Sequence, residues 1–506
     1  MQIDSPTEGA VTGGNLIFFQ EEHDEERGQR MSLAWYSVTS TDPPNVGRRV
    51  MIDKLPGHIL LEVFNFFVNE ANQIEGWHTL AHVCQTWRNI VFDSPRRLNL
   101  RLLCTARRRV RELLYIWPAL PIILCDRDGP TSLVEGVDNI IAALEQNDRV
   151  CEIVLGGIPD SLLERLAGVM QKPFPALIDL ELRQNDESDA TVVPPDPFLG
   201  GSTPNLRTLG LYGIGIPFPQ VLKLLGSSNH LVEIHLHDIP HFGYIPPNAM
   251  ATGLSVQPFL ETLSLEFRSP LSRPDLESRH PPPLTRVVLP FLTSLLFTGV
   301  SEYLEDLVSQ IDAPVLDNVT ITFYNQLIFD TPLLHHFIRR TEKLMEHKYA
   351  RVVFNRHSVE IRLSPEMGTG LSQGLRLEIL CTEPDWQVVS MAQVCCSLSA
   401  TLQTMERLDI VSEYSPWQND AENGQWPEFL RSFASVKDLY LSEEVALRVA
   451  PALKEFPDGI LLLPMLQNLF VEGPQPPTPV QESIVYFVAK RLRLGHLLTV
   501  NLWERE

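Results

Sequence analysis

The chain has 506 residues, of which 44% are hydrophobic and 21% are charged, and it carries a formal net charge of −22. This composition is typical of a folded protein and differs from the low hydrophobicity of a disordered chain. Because coating nucleic acid or anionic lipid requires clustered lysine and arginine, the charge excludes a chain built as a whole for either polyanion.

The sequence has no stretch of about 18 uncharged apolar residues and therefore predicts no transmembrane helix. Its first residues, MQIDSPTEGA, lack the basic segment and the apolar run of a secretory signal. We therefore expect a cytoplasmic or nuclear protein that binds neither membrane nor nucleic acid.

Seven cysteines are scattered along the chain and lie mainly in apolar runs such as IILCD and QVCCSL. In an intracellular chain this pattern predicts reduced, buried thiols. Neither a pair of CxxC units nor an HExxH motif is present, so we expect no metal site and no cofactor.

Residues 1–50 contain an acidic run, EEHDEE, and a Pro-Pro break, and we expect this region to be flexible. After it, Leu55-Pro56 opens a helical pattern, since proline is favoured at the start of a helix. One face of this helix is apolar and carries Ile59, Leu60, Val63, Phe64 and Phe67. A second helix repeats the apolar spacing with Leu80, Val83, Cys84 and Trp87.

The two apolar faces have two possible roles. They could pack only on each other and on the rest of the protein. A unit of about 45 residues, however, is close to the size below which a domain seldom stabilises itself. We therefore expect part of this surface to contact another chain.

The stretch LPGHILLEVFNFF followed by VCQTWRNIVFDSP resembles the F-box, the adaptor-docking module of cullin-RING ubiquitin ligases. The resemblance includes Leu55-Pro56, the apolar helical face, the pairs Val83-Cys84 and Trp87-Arg88, and Pro95. The connection NEANQIEGW at 69–77 is longer and more polar than in the tightest family patterns.

This resemblance implies that the module docks in the groove of a Skp-type adaptor and, through it, joins a cullin. Trp87 is the expected anchor, because aromatic residues dominate interface hot spots. The adaptor contacts that the resemblance implies are Leu55, Pro56, Ile59, Leu60, Val63, Val83, Cys84 and Trp87.

From residue 150 onward, apolar residues recur at positions i, i+3 and i+5 of short segments such as LIDLEL and LRTLGL. Within two runs these segments follow one another every 24–32 residues. Their first residues are Val150, Leu177, Leu206, Leu231, Leu260, Leu292 and Leu316, then Met405, Val436, Leu466 and Leu497. This regularity resembles irregular leucine-rich repeats, whose units pair one strand with a helix or loop.

Apolar, helix-like runs lie between the strand segments, at 161–170, 219–228, 302–311, 443–453 and 482–492. The gap from 316 to 405 holds TPLLHHFIRRTEKL as a helix, SVEIRLS and LRLEILC as strands bracketing a turn, and DWQVVSMAQVCCSL as another helix. A doubly wound α/β enzyme also alternates strands and helices, but no glycine-rich phosphate loop supports that alternative.

We therefore predict an α/β repeat fold, in which a small helical F-box module precedes an irregular leucine-rich-repeat solenoid. The predicted segments are an N-terminal region (1–50), the module (51–100), a linking helix with the start of the solenoid (101–149), and the repeats (150–506). This combination resembles the large class of F-box proteins found in mushroom-forming fungi.

The resemblance implies a substrate-receptor subunit of a ubiquitin ligase, which is not itself an enzyme because partner subunits carry out the transfer. The alternative is an interaction or scaffold protein that binds the adaptor without delivering a target. The sequence leaves both possibilities open.

The target is expected to bind the outward face of the repeat strands. Side chains alternate along a strand, so residues at i+2 and i+4 face away from the core, on the surface that curvature makes concave in solenoids. We expect target contacts from Asp179, Glu181, Glu233, His235, Arg407, Asp409, Tyr440 and Phe470. Because acids outnumber the single arginine on these outward positions, a basic or polar target surface is favoured.

Three other signals favour structural roles. The stretch GLSQG at 370–374 fits the G-x-S-x-G nucleophile motif around Ser372, but a strand-like segment follows it, which favours a hairpin turn. The arginine-rich stretch at 95–113 predicts a solvated helical face. Trp417 and Trp426 are interpreted as packing residues rather than as ligand contacts.

Overall fold

The structure is a computed structural model that describes residue 52 and residues 55–504, apart from 71–74, 127–129, 186–195, 275–284, 346, 366–373, 414–424, 455–461 and 475. The region expected to be flexible, 1–50, lies outside the described residues. The chain forms two compact units, Met1–Pro56 and Gly57–Glu506. In its described part the second unit is a mixed α/β structure with a large, mostly parallel sheet.

Strands in the described part of the chain form one sheet of 16 strands and a second, small sheet of β8 and β10. In chain order the strands are β1 (Leu102–Cys104), β2 (Ile122–Asp126), β3 (Val150–Ile158), β4 (Asp179–Gln184), β5 (Thr208–Tyr212), β6 (Glu233–Ile239), β7 (Thr262–Phe267), β8 (Val287–Val288), β9 (Ser294–Gly299), β10 (Ile311–Asp312), β11 (Asn318–Phe323), β12 (Tyr349–Phe354), β13 (Ser358–Ser364), β14 (Gly374–Leu380), β15 (Arg407–Ser412), β16 (Asp438–Leu441), β17 (Asn468–Glu472) and β18 (Thr499–Trp503).

Three of the described helices precede the sheet, and the others lie between its strands. In chain order they are α1 (Gly57–Glu70), α2 (Gly76–Val83), α3 (Gln85–Asp93), α4 (Val110–Ile116), α5 (Pro130–Glu135), α6 (Val137–Leu144), α7 (Asp160–Val169), α8 (Phe218–Ser227), α9 (Pro247–Leu254), α10 (Ser301–Val308), α11 (Pro332–Arg340), α12 (Pro384–Ser397), α13 (Ser399–Leu402), α14 (Trp426–Arg431), α15 (Glu443–Lys454) and α16 (Thr478–Arg493).

The strands of the large sheet follow one another almost in chain order, from β1 at one edge to β18 at the other. Among the described strands, the departure from chain order is the segment β14-β13-β12, where β13 pairs antiparallel with both neighbours. A doubly wound sheet instead reverses its strand order at a switch point between two parallel halves. The observed order therefore contradicts the doubly wound alternative.

The predicted alternation is confirmed on the repeat strands from β3 to β17, but it is wrong for the edge strand β18, where Val500 and Leu502 were expected in the core and are 41% and 54% exposed. On β4, Leu180 and Leu182 are buried, whereas Asp179 and Glu181 between them are half-exposed. In the parallel register Leu180 lies opposite Leu209 of β5, so the apolar residues of neighbouring strands form continuous rows. These rows form one side of the core, because leucine at every second position of a strand points to the same face.

Helices pack on the strands and on each other. Among the described elements, α10 contacts β9, α12 contacts β13 and β14, and α15 contacts β15 and β17, while α8–α9, α9–α10, α10–α11 and α15–α16 pack as neighbouring pairs. The fully buried Tyr303 of α10 donates a hydrogen bond to the carbonyl of Ile245 at 2.9 Å, which satisfies its hydroxyl inside the core. Apolar burial between strand and helix is the main stabilising contribution in such layers.

The first edge of the sheet corrects the expectation of a helix over 95–113. Residues 95–99 form turns, β1 follows, and helix begins only at Val110. The physical reason is an apolar period of two: Leu98, Leu100, Leu102 and Cys104 are all buried. The sheet therefore starts two strands before residue 150.

Aromatic contacts and a hydrogen bond hold α2 against this first edge. Trp77 of α2 is completely buried, and its Nε1 donates a hydrogen bond to the carbonyl of Arg101 at 3.0 Å. The Trp117 ring, after α4, lies 5.2 Å from Trp77 and stacks on His78 at 4.9 Å. Burial lowers the pKa of His78, which favours the neutral ring in this stack.

Candidate functional site

Helices α1–α3 form the first candidate surface, and Cys84 organises the turn between α2 and α3. Its extended backbone, with φ −159°, ends α2, and its Sγ accepts a hydrogen bond from the backbone N–H of Trp87 at 3.5 Å. Arg88 then donates from Nε to the carbonyl of Ala81 at 2.9 Å, near the end of α2. Both bonds satisfy helix-terminal groups that would otherwise lack partners.

The inner side of these helices is a small core. Phe64, Trp77 and Leu80 are buried there, and Leu60 is only 2% exposed. Leu60 was expected to contact the adaptor, but in the structure it packs inside the protein and has almost no surface for a partner. The helical spacing predicted an apolar face and did not separate its inner from its outer part.

The outer side is apolar as well. Among the described residues of α1–α3, five large apolar side chains are exposed: Ile59 (40%), Val63 (47%), Phe66 (62%), Phe67 (40%) and Val83 (55%). The α1 members recur at i, i+4, i+7 and i+8, which places them on one side of that helix. We call these five side chains the apolar face. Exposed clusters of this kind mark interaction sites.

The remaining predicted adaptor contacts differ in how far they are exposed. Cys84 is exposed, and Trp87 is half-buried. The Trp87 Nε1 is buried and has no hydrogen-bond partner among the described residues. Leu55 and Pro56 belong to the first unit, where Leu55 is half-buried and Pro56 is exposed.

The outward face of the large sheet is the second candidate surface, and it brings the predicted target contacts together in two groups. In the first, the register aligns Asp179 with Glu233 through Thr208, and Glu181 with His235 through Gly210. Within this group His235 Nε2 lies 3.2 Å from a Glu233 carboxylate oxygen. The group therefore presents carboxylates on β4 and on β6, with β5 between them, and Arg183 Nη2 lies 4.0 Å from the Glu181 carboxylate.

The second group lies on β15–β17 and combines charge with aromatic rings. Tyr440 and Phe470 stack with centroids 4.1 Å apart, and the Arg407 guanidinium lies 3.7 Å from the centre of the Tyr440 ring. Asp409 accepts hydrogen bonds from Arg407 at 2.9 Å and from the Tyr349 hydroxyl at 2.6 Å. Asp409 is 9% exposed, so its carboxylate is engaged inside the sheet face and is not available as the target contact that we expected.

The two groups do not form one site. Seven strand spacings separate β6 from β15 in the order of the sheet, which is roughly 34 Å along it at about 4.8 Å per spacing. The strands between them carry further outward residues, including Thr262 on β7 and Asn318 on β11, which the same pattern placed outward.

Among the outward residues that the sequence analysis missed are three arginines in one cross-strand row. The register places Arg376 opposite Arg362, and Arg362 opposite Arg351. Glu360, which is 2% exposed, pairs with both Arg362 and Arg376. The alternation in SVEIRLS and LRLEILC could have placed Arg362 and Arg376 outward, but β12, which carries Arg351, was not recognised as a strand.

Metal-ligating groups, thiols and apolar helices can be signs of other kinds of site. Across the described ranges, no three His, Cys, Asp or Glu side chains are grouped to hold a metal ion. All seven cysteines are free thiols; Cys104, Cys151, Cys381 and Cys395 are buried as expected, whereas Cys84 and Cys396 are exposed. Burial raises the pKa of the Cys104 thiol to about 12. In the part of the chain that is described, none of the helices has the length and apolarity needed to cross a bilayer.

Two minor signals have structural explanations. Ser372 and the rest of 370–373 lie outside the described residues, but β14 begins at Gly374 and pairs antiparallel with β13. A strand follows the motif where a nucleophile elbow requires a helix. Trp426 is 2% exposed and its ring packs 5.6 Å from Phe354, as the packing interpretation predicted, whereas Trp417 lies outside the described residues.

Comparison of the chain with models of known protein families and with curated proteins found no match to either.

Proposed function

We propose that the large sheet belongs to a leucine-rich-repeat solenoid. The parallel strands, their chain-order arrangement and the buried rows of leucine support this proposal. Side-by-side packing of successive helices such as α9, α10 and α11 also supports it, because each repeat of a solenoid contacts mainly its neighbours. The β12–β14 hairpin segment is an irregular unit within this array.

We further propose that the chain is the substrate-receptor subunit of a cullin-RING ubiquitin ligase, with α1–α3 as its F-box. The observation that carries this proposal is the apolar face, whose side chains remain exposed although the same helices also bury a core of their own. Burial of a large apolar side chain contributes about 1.5–3 kcal/mol. A Skp-type adaptor that covers the apolar face would therefore gain substantial binding free energy and remove the exposed surface.

The target would bind the outward face of the sheet. Its acidic group on β4–β6 suits basic side chains of the target, and the Tyr440–Phe470 stack suits an apolar or planar contact. The arginine row between the groups adds positive charge to a face on which acids were expected to outnumber a single arginine. In this proposal the chain works in the cytoplasm or nucleus, binds an adaptor and a target, and leaves catalysis to partner subunits.

Co-purification from fungal cells that express the tagged full-length chain tests this function. Recovery of a Skp-type adaptor together with a cullin supports the substrate receptor. Recovery of the adaptor without a cullin supports the scaffold alternative, in which no target is delivered. Absence of both refutes the two proposals together.

A further inference from the structure

The second unit also contains a basic pocket, which shares no lining residue with the two candidate surfaces. It has a volume of about 460 Å³ and lies between the strand β8, the end of α10 and the helix α11. Its lining consists of Arg286, Ser309, Leu333, His336, Arg339 and Arg340. The volume falls in the range of about 300–1,000 Å³ that is typical of small-molecule sites.

The pocket concentrates positive charge in a chain whose net charge is −22. Three of its six lining residues are arginines and a fourth is a histidine, while none of the six is acidic. The nearby carboxylate of Asp312 lies 3.4 Å from Arg340 Nε and offsets one of the three guanidinium charges. Like charges that line one pocket repel each other, and a bound anion would offset that repulsion.

Two of the three arginines have hydrogen-bond partners among the described residues, and the third does not. Arg286 donates from Nε to the carbonyl of Ser309 at 3.2 Å, and Arg340 donates from Nη2 to the carbonyl of Ile311 at 3.4 Å. These bonds satisfy carbonyl groups at and beyond the end of α10. Arg339 is exposed and, among the described residues, makes no hydrogen bond or ion pair. Burial and the charge of Arg286 lower the pKa of Arg340, which indicates that the charges already repel each other.

The wall that α11 contributes to the pocket is partly apolar, and hydrogen bonds hold the start of this helix. The buried Glu305 accepts the backbone N–H groups of Leu333 and Leu334 at 2.9 and 2.7 Å, and so holds the start of α11. Leu333 gives the pocket an apolar side, and Ser309 adds a hydroxyl. The two hydrogen bonds to Glu305 hold the first turn of α11, and His336 and Arg339 follow on the same helix.

We propose that this pocket binds a phosphate-bearing small molecule. The guanidinium group presents paired N–H donors that match the oxygens of phosphate, and charge-assisted bonds of this kind are short and strong. A phosphate group carries more oxygens and more negative charge than a carboxylate, so it suits a site that offers several guanidinium groups. The space beyond one phosphate, with Leu333 at its side, fits an ester or a second phosphate.

Titration calorimetry of the full-length chain with pyrophosphate tests this inference. Arg339→Gln and Arg286→Gln should each weaken pyrophosphate binding about tenfold or more. Arg431→Gln is the matched control, because Arg431 is an exposed arginine in the last turn of another helix, α14. It should leave the affinity unchanged.

A second arm of the experiment distinguishes a free phosphate compound from a lipid headgroup. Sedimentation with phosphatidylcholine vesicles, with and without phosphatidic acid, should show binding that depends on Arg339 if the phosphate belongs to a lipid. Arginine-dependent binding to either probe supports the pocket. Failure to bind either probe, or equal binding by Arg339→Gln and Arg431→Gln, overturns the inference. Neither result bears on adaptor binding, which has its own test.

Discussion

The ring of Trp87 lies 4.7 Å from the ring of Phe64, with an angle of 54° between the two planes. Phe64 is completely buried, whereas Trp87 is half-buried. Trp87 therefore connects the core of α1–α3 with their outer surface. A substitution there acts on local packing and on any partner that covers the helices.

We expect Trp87→Ala to weaken adaptor binding by on the order of 3 kcal/mol, about a hundredfold in affinity. Trp87→Phe keeps an aromatic contact with Phe64 and should retain most of the binding. A pull-down with the adaptor, with circular dichroism of each variant, makes the comparison. Full binding by a folded Trp87→Ala protein would show that Trp87 is only a local packing residue.

A close backbone contact at Gly136 fixes the start of α6 against the segment after β1. A Cβ atom at this position would overlap the backbone carbonyl of Ala106. Gly136→Ala should therefore lower the free energy of unfolding by about 1–3 kcal/mol.

Gly168 provides the matched control, because a Cβ atom there meets no neighbouring atom within 4 Å. It lies inside α7, so Gly168→Ala should raise the free energy of unfolding by about 0.5–1 kcal/mol. Urea denaturation of both variants measures the difference. Equal stability of the two variants would contradict the close contact at Gly136.

The buried Glu360 predicts a dependence of stability on pH. Burial acts to raise its pKa, but the hydrogen bonds and charges of Arg362 and Arg376 outweigh burial and hold the pKa below its ordinary value. The unfolded carboxyl group is then protonated first as the pH falls, so its contribution to stability is full at neutral pH and declines below about pH 4.5.

Glu360→Gln should lower the free energy of unfolding by about 2 kcal/mol at pH 7, because it removes charge-assisted hydrogen bonds. The difference between wild type and variant should shrink as the pH falls below about 4.5. Urea denaturation at a series of pH values measures it. A difference that stays constant down to the acid unfolding range would rule out a lowered pKa at Glu360.

The repeat strands of the large sheet could be predicted from the sequence because strand period and repeat spacing are both local signals. Leucine at i+3 and i+5 of LIDLEL identified the buried Leu180 and Leu182 correctly. The leucine pattern did not identify β12. Its residues 349–354, YARVVF, contain no leucine, so both this strand and Arg351 were missed.

The candidate surfaces were predicted less well, because a periodic pattern shows which residues are apolar and not which are covered. Ile59 and Leu60 are neighbours on α1, yet the first is exposed and the second is buried. Phe66 was not among the expected contacts, although it is the most exposed member of the apolar face. Asp409 occupies an outward position as predicted, but Tyr349, 60 residues away in the chain, engages its carboxylate.

The acidic group on β4–β6 can be tested as the target surface. This test rests on the proposed function, because it needs a co-purifying target. Glu181→Lys combined with Glu233→Lys should weaken capture of the co-purifying target at least about tenfold, because it replaces two attractions with repulsions. Glu164→Lys combined with Glu482→Lys reverses two exposed charges on helices instead, and should leave capture unchanged. Adaptor binding serves as the folding control. Undiminished capture by the strand variant would remove β4–β6 from the target site.

The most direct test of the central claim is a titration of the purified full-length chain with a purified fungal Skp-type adaptor. The wild-type chain should form a one-to-one complex, and Val63→Asp combined with Val83→Asp should reduce the affinity at least about a hundredfold, because both substitutions place charge in a buried interface. Val485→Asp on α16 is the control, since Val485 is also an exposed valine on a helix, more exposed than Val63 and Val83, but lies far along the chain. Absence of a complex with the wild-type chain, or equal affinity for the double variant and the control, would contradict the assignment of α1–α3 as an adaptor-docking surface.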